Sequence, residues 1–336
     1  MTVTTERPAA PPGRRRRPGR RPGGGRRKTL AAAENRAGLA FLSPTLVVVL
    51  VVVVIPILWT FMLAFQRIRL VNIRHAGIFG RYSAHNFQTV LSSPGFWDSL
   101  VTTLEYTIGG TVLSIGLGLV AALALRRPFR GRTLLRASML LPYVAPVVAV
   151  TFVWQIMLSP QFGIVNQWGT KYLGWDRPIA FLSQRESTLS LLGWHVHVPV
   201  ALLTVIAFEG WRYFPFAFLF LLARLQAVPH ELEEAAIVDG ATPSQRFRYV
   251  LLPQLSSVIA LLSVLRFIMT FTKFDDVYLL TGGGAGTDVV TVRVYRFLTA
   301  RFDVGAAAAQ ALVLAAVMVL FLAVYLRFFA PRLEDR

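Results

Sequence analysis

The sequence predicts an all-α protein of the membrane, with six helices crossing the bilayer and both termini on the cytoplasmic side. Three observations predict it. First, 54% of the 336 residues are hydrophobic and the mean hydropathy is +0.55, too apolar for a typical soluble domain. Second, six apolar stretches with at most two charges each are long enough to cross a bilayer, which takes about 20 residues. Third, much of the formal net charge of +18 sits in one terminal tail and one short loop, as it does on the cytoplasmic side of membrane proteins. A soluble nucleic-acid binder, which the charge alone suggests, fails on the apolar stretches. Cysteine is absent, which excludes disulfides and thiolate metal sites.

Residues 1–36 hold Arg14 to Arg17, Arg20, Arg21, Arg26 and Arg27 among prolines and glycines. Such a segment cannot bury a core and reads as a disordered, solvated cytoplasmic tail that also suits anionic headgroups. It is a poor match to a twin-arginine export signal, because the apolar run after it is too long and lacks a small-residue cleavage site. Leu39 to Phe65 is the first span; Pro44 and Pro56 lie in it. A polar outer segment, Arg67 to Asp98, leads to the second span, Tyr106 to Leu125. Gly109, Gly110, Gly116 and Gly118 in that span invite close helix approach. Arg126, Arg127, Arg130, Arg132 and Arg136 follow with no acid among them, a cytoplasmic marker. The third span runs from Ala137 to Leu158 through Pro142 and Pro146, and an outer segment extends from Ser159 to His197. The fourth span, Val198 to Ala223, carries Glu209 and Arg212. The fifth, Gln254 to Thr272, carries Arg266. The sixth is Val304 to Leu326.

Between the fourth and fifth spans lies a polar stretch, Pro229 to Pro253. Pro229 suits a first helical position, and Glu231, Glu233 and Glu234 suit the positive end of a helix dipole. Asp239-Gly240 ends that helix, because glycine takes the left-handed conformation without a Cβ penalty. Thr242-Pro243-Ser244-Gln245 starts a second short helix with a capping box, and Pro253 opens the next span. Six spans place both termini on one side. The inner segments carry 11 Lys+Arg in residues 1–38 and five in 126–136; without the tail, inner and outer segments carry 11 each. The orientation therefore rests on the tail and the 126–136 loop.

Several chemistries are excluded or unsupported. Thr281 to Gly286 is glycine-rich but lacks the Lys-Ser/Thr of a phosphate-binding loop, so the chain is not an ATPase of that class. His195 and His197 alternate on one strand-like face with no further ligands, so no metal site is assigned. No Ser-His-Asp or paired-carboxylate arrangement stands out, and no catalytic residue is assigned.

Glu234-Ala235-Ala236, Gly240 and Leu252-Pro253 resemble the EAA loop of bacterial ABC importer permeases, with Val250 where isoleucine is usual. Asn86-Phe87, Pro142 and Pro146, Trp154, Gly163-Ile164-Val165-Asn166 and Leu225-Gln226-Ala227-Val228-Pro229 resemble the same family at the same places. Phe274-Asp275-Asp276-Val277-Tyr278 and Thr281 to Gly284 are similar to its FDxVYxLTGGGP stretch, with Ala285 in place of proline and a less rigid loop expected there. The resemblance covers Asn86 to Leu326 and points to permease subunits of binding-protein-dependent sugar importers of the maltose and glycerol-phosphate type, in particular the first of two permease subunits.

That resemblance implies a type I importer permease architecture in the bacterial cell membrane. Its parts are a tail (1–36), a first helix with its outer loop (37–97), a core transmembrane domain (98–326) with the EAA loop at 229–253, and a second tail (327–336). It implies that Glu234, Ala235, Ala236, Asp239, Gly240 and Pro253 form a loop that seats in a groove of a cytoplasmic ATPase subunit. The implied partners are a second permease subunit, two ATPase subunits that hold ATP and Mg, and an extracytoplasmic sugar-binding protein docked on 159–197 and 273–303. This chain is expected to bind no cofactor itself and no nucleic acid.

Charges inside spans are costly and usually face a bundle interior or cavity. Glu209 and Arg212 stand three residues apart and can partly neutralise each other. Sugars offer C–H faces to aromatic rings and hydroxyls to charged groups, so Glu209, Trp211, Arg212 and Arg266 are candidate residues of a substrate path. A buried ion pair that fixes helix packing is the other reading of Glu209 and Arg212. Alternatives to a sugar importer are a permease for another solute, such as glycerol 3-phosphate or a polyamine, and a membrane scaffold or enzyme.

Overall fold

The structure, a computed structural model, describes residues 40–191 and 194–329. The expectation of a disordered tail over 1–36 lies outside the described residues, as do residues 330–336. Chain contacts divide the protein after Leu58. The first unit is described from residue 40, and the division falls within an uncharged helix, α1, which runs from Ala40 to Ala64 with a mean hydropathy of 3.1. A wide π turn at Leu50–Val54 interrupts it ahead of Pro56, a proline that cannot donate to the preceding turn.

The second unit is mostly helical. Helix α2 (His85–Leu91) is followed by α3 (Pro94–Ala124), then by α4 (Arg132–Met139), α5 (Leu141–Val144) and α6 (Val147–Met157). Helix α7 (Ile164–Tyr172) leads into a hairpin of β1 (Ser187–Leu191) and β2 (Trp194–Val198), then α8 (Val200–Gln226) and α9 (His230–Val238). The chain closes with α10 (Pro243–Phe271), α11 (Asp275–Thr281), α12 (Val290–Thr299) and α13 (Val304–Phe329). Among the described residues five helices are long and apolar enough to cross a membrane, and a sixth crossing requires a bent pair.

Four expectations change. The third span is broken: its two halves, 132–144 and 147–157, meet at 96°. Pro142 falls in the first turn of α5, and Pro146 caps α6 with extended ψ, so neither continues a straight ladder. The second span starts at Pro94 rather than Tyr106, because Pro94 sits at the first turn and the polar residues up to Glu105 stay helical. The fifth span likewise starts at Pro243: the second short helix of the polar stretch runs without a break into it. Pro253 thus lies inside α10, and the π turns at Arg246–Leu251 widen the helix where its ring would otherwise meet a carbonyl. Finally, the class is not purely α. Ser187 pairs with Val198 and Leu191 with Trp194 in the antiparallel hairpin; Thr188 of β1 and Val196 and Val198 of β2 are its β-branched residues.

The core of the second unit is built where α3, α8 and α10 meet. Ile115, Ala121 and Ala122 of α3 pack with Ala217, Phe218 and Leu221 of α8 and with Leu251, Leu255 and Leu262 of α10. Close approach of α3 and α8 depends on glycine. A Cβ on Gly118 would stand 2.7 Å from the Ala217 Cβ and 2.8 Å from the Phe218 nitrogen, and one on Gly110 2.7 Å from the Glu209 Cγ. Gly116, by contrast, faces open space and takes no part. A second cluster joins Tyr106, Val150, Val205, Phe208, Val277 and Val292. Pro215 lies inside α8 without ending it, as packed neighbours permit in membrane helices.

Candidate functional sites

The polar stretch folds as its chemistry dictates. Helix α9 carries Glu231 and Glu233 in its first turn. It ends in a Schellman motif: the Gly240 N–H donates to Ile237 O at 3.0 Å and the Ala241 N–H to Ala236 O at 2.9 Å. Gly240 has φ +78° with nothing within 4 Å of where a Cβ would stand, so conformation and not space demands glycine there. Asp239, just before it, donates its N–H to Ala235 O at 2.9 Å. Thr242 and Gln245 form the reciprocal capping box.

The result is a compact knob with an apolar tip. Glu234 and Ala235 are exposed and Ala236 is half-buried. Ile237 and Val238 present 54% and 86% of their surfaces, unusual for apolar residues in so polar a segment. The knob is anchored by a contact that sequence reasoning missed. Both guanidinium nitrogens of Arg126 donate to the Glu233 carboxylate, at 2.6 and 2.8 Å, with each side chain under a fifth exposed. Such a two-pronged pair fixes geometry as well as charge. Beside it lies a cavity of about 300 Å³ lined by Arg126, Arg127, Glu233, Glu234, Ile237 and Arg246, among others.

The second site is a buried charge network in the middle of the bundle. Glu209 and Arg266 are both fully buried, and Arg266 Nη2 donates to Glu209 Oε1 at 2.5 Å. Glu209 also accepts from the Tyr106 hydroxyl at 2.9 Å and from Thr270 Oγ1 at 2.9 Å. Arg266 is further held by Ser114 at 3.3 Å and lies over the Tyr213 ring at 4.5 Å. The acid of α8 is thus neutralised from α10, not by Arg212 on its own helix.

Arg212 instead donates to Ala145 O at 3.1 Å and to the Tyr213 hydroxyl at 3.3 Å. Ala145 lies with Pro146 between α5 and α6, so Arg212 satisfies a carbonyl that the break in the third span releases. Its nearest carboxylate is Asp276, at 4.0 Å. Trp211 is half-buried and packs on Trp154, ring centroids 5.5 Å apart. The four residues Glu209, Trp211, Arg212 and Arg266 therefore lie in one neighbourhood. Tyr106, Tyr213, Thr270, Lys273 and Asp276 complete it. Only Asp276 had any sequence signal, as part of the FDxVY stretch. The hydrogen bonds from Tyr106 and Thr270 to Glu209 join residues 103 and 61 positions apart, which no local pattern reports.

The glycine-rich turn after α11 has Gly282 and Gly283 at φ +61° and +76°, and Ala285 at φ +51°. That last conformation is closed to proline, whose ring fixes φ near −65°. Among the described residues no group of three or more His, Asp or Glu is placed to hold a metal ion. His197 is exposed, and the His195 side chain lies outside the described residues.

Residues 114–335 match the family of binding-protein-dependent transport system inner membrane components. The chain belongs to this family. It is 36% identical over 277 residues to the inner membrane ABC transporter permease protein YcjO of Escherichia coli K12, covering 82% of this chain and 88% of the relative. It is 32% identical to the trehalose/maltose transport system permease protein MalF of Thermococcus litoralis, over 79% and 83% of the two chains. In Agrobacterium fabrum the sn-glycerol-3-phosphate transport system permease protein UgpA is 31% identical, over 74% and 80%. Among solved structures, a bacterial ABC transporter for import of the acidic polysaccharide alginate has a chain that superposes with a TM-score of 0.69 at 23% identity. The match covers 90% of this chain and 99% of that one, which establishes a shared fold. The permease is a multi-pass membrane protein of a binding-protein-dependent ABC importer.

Proposed function

We propose that this permease is one half of the transmembrane pore of an ATP-driven carbohydrate importer. Its knob at residues 229–253 receives the stroke of a cytoplasmic ATPase subunit. The observation that carries the reading is the knob itself. A Schellman turn, a capping box and the Arg126–Glu233 pair hold Ile237 and Val238 out from a polar loop, where a partner groove is the natural cover for them. Glu234, beside them, offers a carboxylate to a basic group of that groove, and ATP and Mg belong to the partner. In this reading six spans, the third of them bent, place the knob and both termini in the cytoplasm. A second permease completes the pore, and a sugar-binding protein delivers substrate to the opposite face. Trehalose and maltose systems among the relatives support a sugar as the solute; the glycerol-phosphate relative is the alternative.

The test is uptake. Cells lacking this chain are given labelled trehalose, maltose, cellobiose, N-acetylglucosamine and glycerol 3-phosphate. Loss of one sugar is expected, restored by the wild-type chain and not by Glu234→Arg. Loss of glycerol 3-phosphate alone would move the substrate to that alternative, and full rescue by Glu234→Arg would remove Glu234 from the coupling loop.

A further inference from the structure

Residues 125–131 join α3 to α4, and both neighbours belong to the membrane. Helix α3 is long and apolar enough to cross it, and α4 opens the bent pair that makes the sixth candidate span. The elbow between them therefore turns at the edge of the bilayer, at the level of the lipid headgroups. Residues 126–136 hold Arg126, Arg127, Arg130, Arg132 and Arg136 and no acid.

Three of these arginines build the elbow. Arg126 is held by both its prongs to Glu233. Arg136 Nη2 donates to Leu125 O at 2.8 Å, and Arg132 Nη1 to Arg126 O at 3.4 Å. Arg132 and Arg136 stand four apart, so one face of α4 is turned to the end of α3. The other two arginines hold nothing: Arg127 and Arg130 are exposed, with no hydrogen bond or ion pair among the described residues. Bare apolar side chains accompany them. Phe129, between the two, is 44% exposed, and Leu134 and Leu135, off the Arg132–Arg136 face, are 76% and 46% exposed. Uncommitted cations around bare apolar side chains at the bilayer edge suit an interfacial surface, with chains in the acyl boundary and cations at the headgroups. A protein partner would have to bring an acidic rim to these cations; the bilayer already carries phosphates at that depth.

We propose that the elbow binds anionic phospholipid, Arg127 and Arg130 holding headgroup phosphates while Phe129, Leu134 and Leu135 enter the acyl boundary. Arg127 adjoins Arg126, whose partner Glu233 lies in the first turn of α9. The elbow that meets the lipid is thus the one that braces the knob.

The test uses the full-length permease alone in lipid nanodiscs, without ATPase or sugar, so its outcome is independent of the importer reading. The chain has no cysteine, so Leu134→Cys and, in parallel, Phe129→Cys each give a single target for an uncharged, water-soluble maleimide. Val238→Cys on the knob, at a position 86% exposed, is the control. Rates are compared between phosphatidylcholine and an equal mixture of phosphatidylcholine and phosphatidylglycerol. Both elbow cysteines are expected to react at least about fivefold more slowly in the mixture, the worth of one arginine at an anionic surface, while Val238→Cys keeps its rate. Arg127→Gln with Arg130→Gln should abolish the slowing, and lysine at both positions should keep it. Equal rates in the two bilayers overturn the proposal. So does a slowing that outlasts removal of both arginines, which would belong to the bilayer charge and not to this surface. A slowing produced in phosphatidylcholine by inorganic phosphate overturns it too, because the site would then be one for free anions.

Discussion

Replacing Gly240 by leucine is expected to abolish import while leaving the chain in the membrane at near-normal abundance. Gly240 holds φ +78°, and a residue with a Cβ pays about 1–2 kcal/mol for that conformation. Nothing surrounds the position, so the strain is relieved locally, by unwinding the turn, and not by disturbing the bundle. The last turn of α9 then loses the Schellman bonds from Gly240 and Ala241, and Ile237 and Val238 lose their placement. Because Gly240 and α9 lie outside the spans, insertion and packing of α3, α8 and α10 are untouched. Quantitative co-purification of ATPase subunits with a tagged permease checks this. At least a tenfold loss is expected, since 1.4 kcal/mol of misplacement is already a factor of ten. Wild-type recovery of the ATPase by Gly240→Leu would show that the turn is dispensable for docking.

The second large effect is expected at Arg266. Arg266→Ala leaves Glu209 fully buried and charged with only the Tyr106 and Thr270 hydroxyls for partners. Breaking a buried pair from one side costs about 3–5 kcal/mol, a large part of the stability of an ordinary domain. Arg266→Ala should therefore lose most of its monodisperse protein on solubilisation, as seen by fluorescence-detected size-exclusion chromatography. Removing both charges, as in Glu209→Leu with Arg266→Met, should recover much of it, because an apolar pair of similar volume is often neutral. If Arg266→Ala were as abundant and as stable as wild type, the Glu209–Arg266 pair would not be a structural tie. Its charges would then be free for a substrate path, the role that the sequence reading also offers for Trp211 and Arg212.

Much of this was legible in the sequence, for identifiable reasons. Span location follows from apolar runs, and the knob follows from short-range rules, since glycine at C′ and a Thr-x-x-Gln box act within six residues. Span starts were less legible. Residues 94–105 and 243–253 are helical but polar, so hydropathy does not separate them from loops. Prolines mark trouble without saying which kind: Pro142 and Pro146 break a span, Pro253 is absorbed by π turns, and Pro215 interrupts nothing. Partners of buried charges were not legible at all. Glu209 has a cation three residues away on its own helix, yet takes Arg266, 57 positions distant, because helix packing and not sequence spacing decides which side chains meet inside a bundle. The Arg126–Glu233 pair, 107 positions apart, was hidden for the same reason.

Seating of the knob at residues 229–253 in a cytoplasmic ATPase is what the proposed function needs most. The chain has no cysteine of its own, so a single one can be placed where the claim is sharpest. Ala236→Cys, at the half-buried edge of the knob, should form a disulfide on mild oxidation with a cysteine scanned along the groove of the ATPase subunit, at one or two positions only. A Gln167→Cys control on α7 should form none. Absence of any adduct from Ala236→Cys across the groove, with both partners present and transport intact, would contradict the claim.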